Sequence, residues 1–290
     1  MPLFNYYVTP EQYCQDKAAR LGSSLYYSVL SLPLDKRNAL TALCAFREEV
    51  LSVPLECSDP GVARMKLAWW RGEIRSLYRG SPLHPVVKAL AAGPAARELP
   101  LELWDAIVDG AEMDVAHDGY PDFVTLKLYC HRTGAVVAAM AAEILGCRDL
   151  ETLNSARALG IGLALCLLIQ DTGKDARRGR VYLPQDEMTR FEVSSTEILD
   201  RQESDPFRRM MEFQIERAIQ YLNSARSKLP APDRKSLTSI LILAAIQQAL
   251  LEEIRLGGCR VLSGRTSLTP VRKLWIAWKT RMRSYTCRQK

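Results

Sequence analysis

Only three histidines occur among the 290 residues of the chain, and its eight cysteines include no Cys-x-x-Cys pair. Cys14, Cys44, Cys57, Cys130, Cys147, Cys166, Cys259 and Cys287 are scattered, so neither a zinc site nor a disulfide framework is predicted, and reduced thiols in the cytoplasm are expected. A glycine-rich phosphate loop, a Gly-x-Ser-x-Gly elbow and an internal repeat are missing as well. His84, His117 and His131 form no pattern with one another or with a nucleophile, so none is assigned a catalytic role. The N-terminal MPLFNYYVTPEQ has no basic start followed by an apolar run, which predicts no secretory signal. The longest charge-free apolar stretch, 158–169, is far below the roughly 20 residues that span a bilayer, and no membrane crossing is expected. No acid follows Glu253, whereas ten basic residues lie from Arg255 onward; the preceding part carries 29 basic against 33 acidic residues, so the whole net charge of +6 comes from the tail. A charge confined to one tail, with no recognised binding motif, does not favour nucleic acid.

What is present is ordinary for a globular protein: 48% hydrophobic and 25% charged residues. Apolar residues recur at three- and four-residue spacing and alternating β-branched runs are nearly absent, which predicts an all-α fold. Thr9-Pro10-Glu11 reads as an N-cap, a proline at the first helical position and an early acid, with Gly22 closing that helix. Later helices are predicted at about 34–56, 62–79, 100–117, 122–145, 150–172, 205–228, 233–256 and 268–285, and Pro/Gly pairs separate them. With short loops and no linker, 1–290 is read as one helical-bundle domain. Segments 159–169 and 237–251 are apolar all round, as a central helix must be. A cavity between them would suit a hydrocarbon, and a filled core fits the same pattern.

Asp171 and Asp175, in QDTGKDARRGRVYLP, share one helix face at a one-turn spacing, where two carboxylates can hold Mg²⁺ against substrate phosphates. Lys174, Arg177, Arg178 and Arg180 beside them could bind or neutralise a diphosphate; a solvated helix end has the same composition. Asp109, Glu112, Asp114 and Asp118 read equally as a solvated face. Tyr129 could steady a cation or serve as core with a satisfied hydroxyl, and Ser23 and Ser24 could offer N–H groups to a phosphate or simply cap a helix.

Taken in order, six segments resemble the squalene/phytoene synthase family, and in particular bacterial presqualene diphosphate synthases of the hydroxysqualene and hopanoid route. They are 13–28 (YCQDKAARLGSSLYYS), 58–74 (SDPGVARMKLAWWRGEI), 109–114 (DGAEMD), 128–132 (LYCHR), 171–187 (DTGKDARRGRVYLPQDE) and 267–280 (SLTPVRKLWIAWKT). The resemblance implies an isoprenoid-synthase-type bundle around an apolar cavity, in which Mg²⁺ held by two aspartate-rich motifs ionises one farnesyl diphosphate for attack by a second. It implies Ser24, Lys174, Arg177, Arg178 and Tyr182 as substrate contacts, Tyr129 beside the cation, and Asp171 and Asp175, with Asp114 nearby, as residual metal ligands.

The same resemblance marks departures. In CAFREEVLSVPLEC, Cys44 stands at the family's tyrosine, Glu48 at its arginine, and Leu51, Ser52 and Leu55 at the aspartates of its first metal motif. Pro54 removes a hydrogen bond from that helix, which predicts a kink costing about 3 kcal/mol. In the second motif Leu167 replaces a metal-binding asparagine, Ala164 a glutamine, Gln170 an arginine and Lys174 an acid. Glu49 and Glu56 are about 10 Å apart along a helix axis, too far to replace a one-turn pair. The expectation is a degenerate homologue with Mg²⁺-dependent condensation lost or impaired, binding a prenyl diphosphate or other lipid or serving a protein partner. A working transferase and altered chemistry in the same cavity stand as alternatives, with Mg²⁺ the cofactor if either holds.

In the last helix Val271, Leu274, Trp275, Trp278, Met282 and Tyr285 form one stripe, and Arg272, Lys273, Lys279, Arg283 and Lys290 lie mostly off it. Such a helix suits anionic lipid at the inner face of a membrane, at about 1 kcal/mol per basic residue, and equally suits packing on the bundle with a solvated basic face.

Overall fold

A computed structural model describes residues 9–116 and 119–286. His117, Asp118, Cys287, Arg288 and Lys290 lie outside the described residues, as does the side chain of Tyr285. Helix α1 (Pro10–Ala18) opens with a capping box: the Gln12 N–H donates to the Thr9 hydroxyl and the Thr9 N–H to the Gln12 side chain. It ends four residues before Gly22, which turns the chain at φ +87° into α2 (Ser24–Val29). Then come α3 (Leu34–Glu56) and α4 (Pro60–Arg79), the latter capped by Asp59, which accepts from the Gly61 and Val62 N–H groups. The short α5 (Pro85–Ala91), not anticipated from the sequence, starts at His84, whose Nδ1 accepts from the Val86 N–H at 3.2 Å.

Helix α6 (Leu101–Ala116) is followed by α7 (Phe123–Cys130), a π turn (His131–Ala135) and α8 (Val136–Ile144) where one continuous helix was expected. The long α9 (Leu150–Ala176), short α10 (Gln185–Arg190) and α11 (Ser195–Leu199), α12 (Asp205–Lys228), a 3₁₀ turn (Ala231–Arg234), α13 (Thr238–Leu256) and α14 (Pro270–Thr286) complete the order. Among the described residues there is no strand, only one isolated parallel bridge from Tyr120 to Pro184.

Two packing relationships place the site. Phe46 of α3 is fully buried with its ring edge-on to Trp70 of α4 and Trp104 of α6, at 5.6 and 5.1 Å, which locks these three helices together. On the other side the π turn lies directly on α9: a Cβ on Gly134 or on Gly160 would come within 2.4 Å of the other's carbonyl oxygen, so only glycine permits the approach. Helix α9 is long and apolar enough to cross a membrane, which the shorter charge-free stretch in the sequence did not suggest. It is a core helix, since most of its apolar stretch is buried and α8, α12 and α13 pack around it.

Candidate functional site

At the lower ends of α3, α6 and α9, a carboxylate is buried under three tyrosines. Asp114 of α6 accepts from the hydroxyl of Tyr120 at 2.9 Å and of Tyr182 at 2.8 Å, one on each oxygen. Tyr129 joins them: its ring centroid is 5.5 Å from that of Tyr120 and 5.6 Å from that of Tyr182, and its hydroxyl also faces Asp114. Burial raises the Asp114 carboxyl above its ordinary range, while the tyrosine hydroxyls and the Arg180 guanidinium pull it back. Burial, reinforced by the charge on Asp114, pushes Tyr129 well above a normal phenol. Arg180 ties the surrounding backbone together, donating to the carbonyls of Asp114 at 2.9 Å and Pro54 at 2.8 Å. Its guanidinium therefore serves architecture as well as charge.

Asp171 and Asp175 sit one turn apart on α9, and their surroundings differ. The Asp171 carboxylate has Arg265 Nε at 2.9 Å, an ion-pair contact rather than an aligned hydrogen bond, and Lys174 Nζ at 3.7 Å. The segment carrying Arg265 is fixed one residue later, where Gln170 Nε2 donates to the Thr266 carbonyl at 3.0 Å. Asp175 is buried and its carboxyl is pushed up to about 7, first by desolvation and then by Asp171, with Asp114 adding to the effect and Lys174 and Arg178 opposing it. Asp175 thus feels the charge of both other retained acids. Ala164 is buried and Leu167 half-buried, and neither side chain carries a polar atom.

On α3, Leu51 and Leu55 are half-buried, and the Ser52 hydroxyl donates back to the Glu49 carbonyl at 3.0 Å. Burial raises the Cys44 thiol to about 12. Glu48 pairs with Arg47 at 2.5 Å, Glu49 takes the Tyr13 hydroxyl at 2.6 Å and Lys17 at 3.1 Å, and Glu56 is exposed, so the three acids of this helix end have other partners or face solvent. Arg47 also donates through Nε to the Thr133 carbonyl in the π turn, at 2.6 Å. Pro54 stands two residues before the end of α3, which continues past it to Glu56; its missing N–H takes one donor from the Val50 carbonyl, while Arg180 satisfies the carbonyl of Pro54 itself, one of the last-turn acceptors that no helical N–H reaches.

Two spaces adjoin this cluster. One, about 400 Å³, opens between Pro54, Asp114, Tyr120, Arg178, Arg180 and Tyr182. The other is apolar, lined by Leu126, Leu165, Leu168 and Leu183 beside Asp175, and holds about 10 Å³, roughly the room of one water. Arg178 stands at the polar mouth and is exposed, as are Lys174 and Arg177. Ser24 is the first residue of α2, and Ser23 is its cap, accepting from the Tyr26 N–H at 3.1 Å.

The donor set does not suit Mg²⁺. That ion asks for several oxygens in an octahedron, and among the described residues no three Asp, Glu, His or Cys side chains converge. Asp171 is held by two cations, both Asp114 oxygens are taken by phenols, and Leu51, Leu55 and Leu167 offer no oxygen. Tyr120, Arg47 and Arg265 are the participants sequence reasoning missed. Tyr120 sits in a Gly-Tyr-Pro turn six residues after Asp114, and Arg265 was counted only as part of a basic tail.

The squalene/phytoene synthase family model matches residues 18–272. The chain is similar to phytoene synthase 1, chloroplastic, of Arabidopsis thaliana, at 28% identity over 90% of this chain and 63% of that protein, so it spans less than two thirds of that relative's length. It is 26% identical to the phytoene synthase of Arthrospira platensis, over 90% of this chain and 89% of that one. Among solved structures, a dehydrosqualene synthase in complex with ligand superposes with a TM-score of 0.81 at 19% identity, covering 96% of this chain and 97% of the other. Squalene synthase HpnC from Alicyclobacillus acidocaldarius gives 0.72 at 23% identity, covering 86% and 94%. At these identities the two structures speak for the fold.

Proposed function

The chain belongs to the squalene/phytoene synthase family, and from that membership we propose that it binds a prenyl diphosphate or a related lipid chain without performing Mg²⁺-dependent condensation. The observation that carries this reading is the Asp171 carboxylate, paired with Arg265 and Lys174, together with Leu51, Ser52 and Leu55 at the α3 positions where the family resemblance expects metal-binding aspartates. Losing a diphosphate requires its departing charge to be neutralised in a dry site, and the residues here do not assemble the metal that would do so. Arg178 and Arg180 at the 400 Å³ opening supply fixed positive charge in its place, which suits holding an anionic head group. In this reading the protein works at the inner face of the membrane, as a carrier or as the partner of an active synthase.

A second reading, a transferase joining two farnesyl diphosphates or acting on another substrate in the same place, draws on the retained cluster of Asp114, Tyr129 and Asp175. Incubating the purified protein with farnesyl diphosphate, with Mg²⁺ and with EDTA, separates the two. Binding by calorimetry in EDTA, with no diphosphate released in Mg²⁺ and no prenyl product extracted, is the expected result. Turnover to presqualene diphosphate, hydroxysqualene or squalene overturns it.

A further inference from the structure

Helix α14 presents its apolar stripe away from the protein. Among its described side chains Ile276 and Ala277 are the buried ones, 9% and 8% exposed, on the side that packs on α13 and α2. Lys273 fastens the same side, donating to the Gly22 carbonyl at 2.8 Å. Val271 is 77% exposed, Leu274 51%, Trp275 54%, Trp278 60% and Met282 48%. At about 100° of rotation per residue these five occupy an arc of about 100° centred opposite the buried pair. Two tryptophans, a leucine, a valine and a methionine in one outward row are not a bundle face that happens to be loosely covered.

The flanks of the row identify what it meets. Arg272, Lys279 and Arg283 fall along one edge and Arg281 along the other, and no acid occurs in the chain after Glu253. Lys279 lies over the Trp275 ring at 4.5 Å from its centroid, while Arg272 pairs with Glu253 of α13. A narrow apolar row edged by cations, with indoles at its middle, is the geometry of a helix lying in the plane of a lipid head-group layer. A second copy of this chain would oppose like-charged edges across a twofold axis, which disfavours self-pairing through this face.

We propose that α14 docks the protein on an anionic lipid bilayer, with the Val271, Leu274, Trp275, Trp278 and Met282 row in the interface and the basic edges on phosphate head groups. The proposal names the surface and lipid class behind the membrane placement given above and rests on that reading. Co-sedimentation of the full chain with vesicles of phosphatidylcholine alone, and of phosphatidylcholine mixed with phosphatidylglycerol, tests it. The expected result is binding to the anionic vesicles only, weakened at least about tenfold by raising salt to 0.5 M, with a blue shift of tryptophan emission. A Trp275→Ser/Trp278→Ser variant, altered only at exposed positions and checked by thermal melting, should lose both the binding and the shift. Equal binding to neutral vesicles, undiminished binding by the variant, or a concentration-dependent dimer that the variant abolishes would each overturn the proposal. Calorimetry with farnesyl diphosphate on the parent protein keeps the readings apart: ligand binding without vesicle binding condemns only the membrane face, and vesicle binding without ligand binding condemns only the ligand reading.

Discussion

The Arg265 guanidinium lies 2.9 Å from the Asp171 carboxylate, closing one side of α9 with a residue from the segment that leads into α14. Two consequences follow from the surroundings of the pair. Arg265 is 54% exposed and Asp171 20%, so water screens the attraction and the pair contributes little to stability. It still places a fixed positive charge against an oxygen that a metal would need.

Replacing Arg265 with Ala is therefore expected to cost no more than about 1 kcal/mol in chemical denaturation. The variant should also fail to gain Mg²⁺-dependent diphosphate release from farnesyl diphosphate, because Leu51, Leu55 and Leu167 remain without oxygens. A variant that releases diphosphate would show that the arginine alone blocks an otherwise complete site.

How far the sequence carries can be judged from such pairs. The bounds 34–56 and 205–228 are those of α3 and α12, because long helices repeat their apolar spacing many times; α5, α10 and α11, five to seven residues each, are too short to do so. The π turn at His131–Ala135 leaves no mark in composition, since it is a change of hydrogen-bond register imposed by packing on α9. Asp171 and Asp175 were legible as a one-turn pair, whereas the partners that decide their chemistry were not: Arg265 arrives from a distant loop, and burial sets Asp175. The outward face of α14 was legible as a stripe, and only the packing of Ile276 and Ala277 shows which way it points.

The Asp114 cluster should behave as one unit. Tyr182→Phe or Tyr120→Phe each removes one donor from a carboxylate that keeps another, at about 1 kcal/mol. Asp114→Ala strips buried hydroxyls of their shared acceptor and should cost about 3 kcal/mol or more. In a double-mutant cycle the two Tyr→Phe changes should be non-additive by about 0.5 kcal/mol or more, since both act through the same carboxylate; simple additivity in urea unfolding would argue that the hydroxyls do not share it.

At Gly160 an added methyl meets the Gly134 carbonyl at 2.4 Å and the Ala135 Cα at 2.6 Å, all backbone, so nothing local can rotate away. Gly160→Ala should destabilise by about 2 kcal/mol or more and lower the melting temperature accordingly. Gly72, inside α4, has open space where its Cβ would be, and Gly72→Ala should instead stabilise by up to about 1 kcal/mol through helix propensity. Equal effects at the two sites would contradict the close approach of the π turn to α9.

Asp175 gives the cluster a pH dependence whose sign can be worked out. Its carboxyl stands near 7 in the folded protein against 3.8 unfolded, so between those values the folded state holds a proton that the unfolded state has lost. Stability should therefore fall as pH rises from about 4 to about 7 and level off above, by on the order of 3 kcal/mol in all. Asp175→Asn, neutral throughout, should remove this component, gaining stability relative to the parent most clearly above pH 7. Denaturant midpoints of both proteins from pH 4 to 8 measure the difference, and repeating them in Mg²⁺ adds a second reading. A bound cation would favour the carboxylate and move the parent's transition to lower pH, so the two parent curves are expected to coincide; a Mg²⁺-dependent shift absent from the Asn variant would mean that Asp175 ligates metal and that the non-condensing reading is wrong.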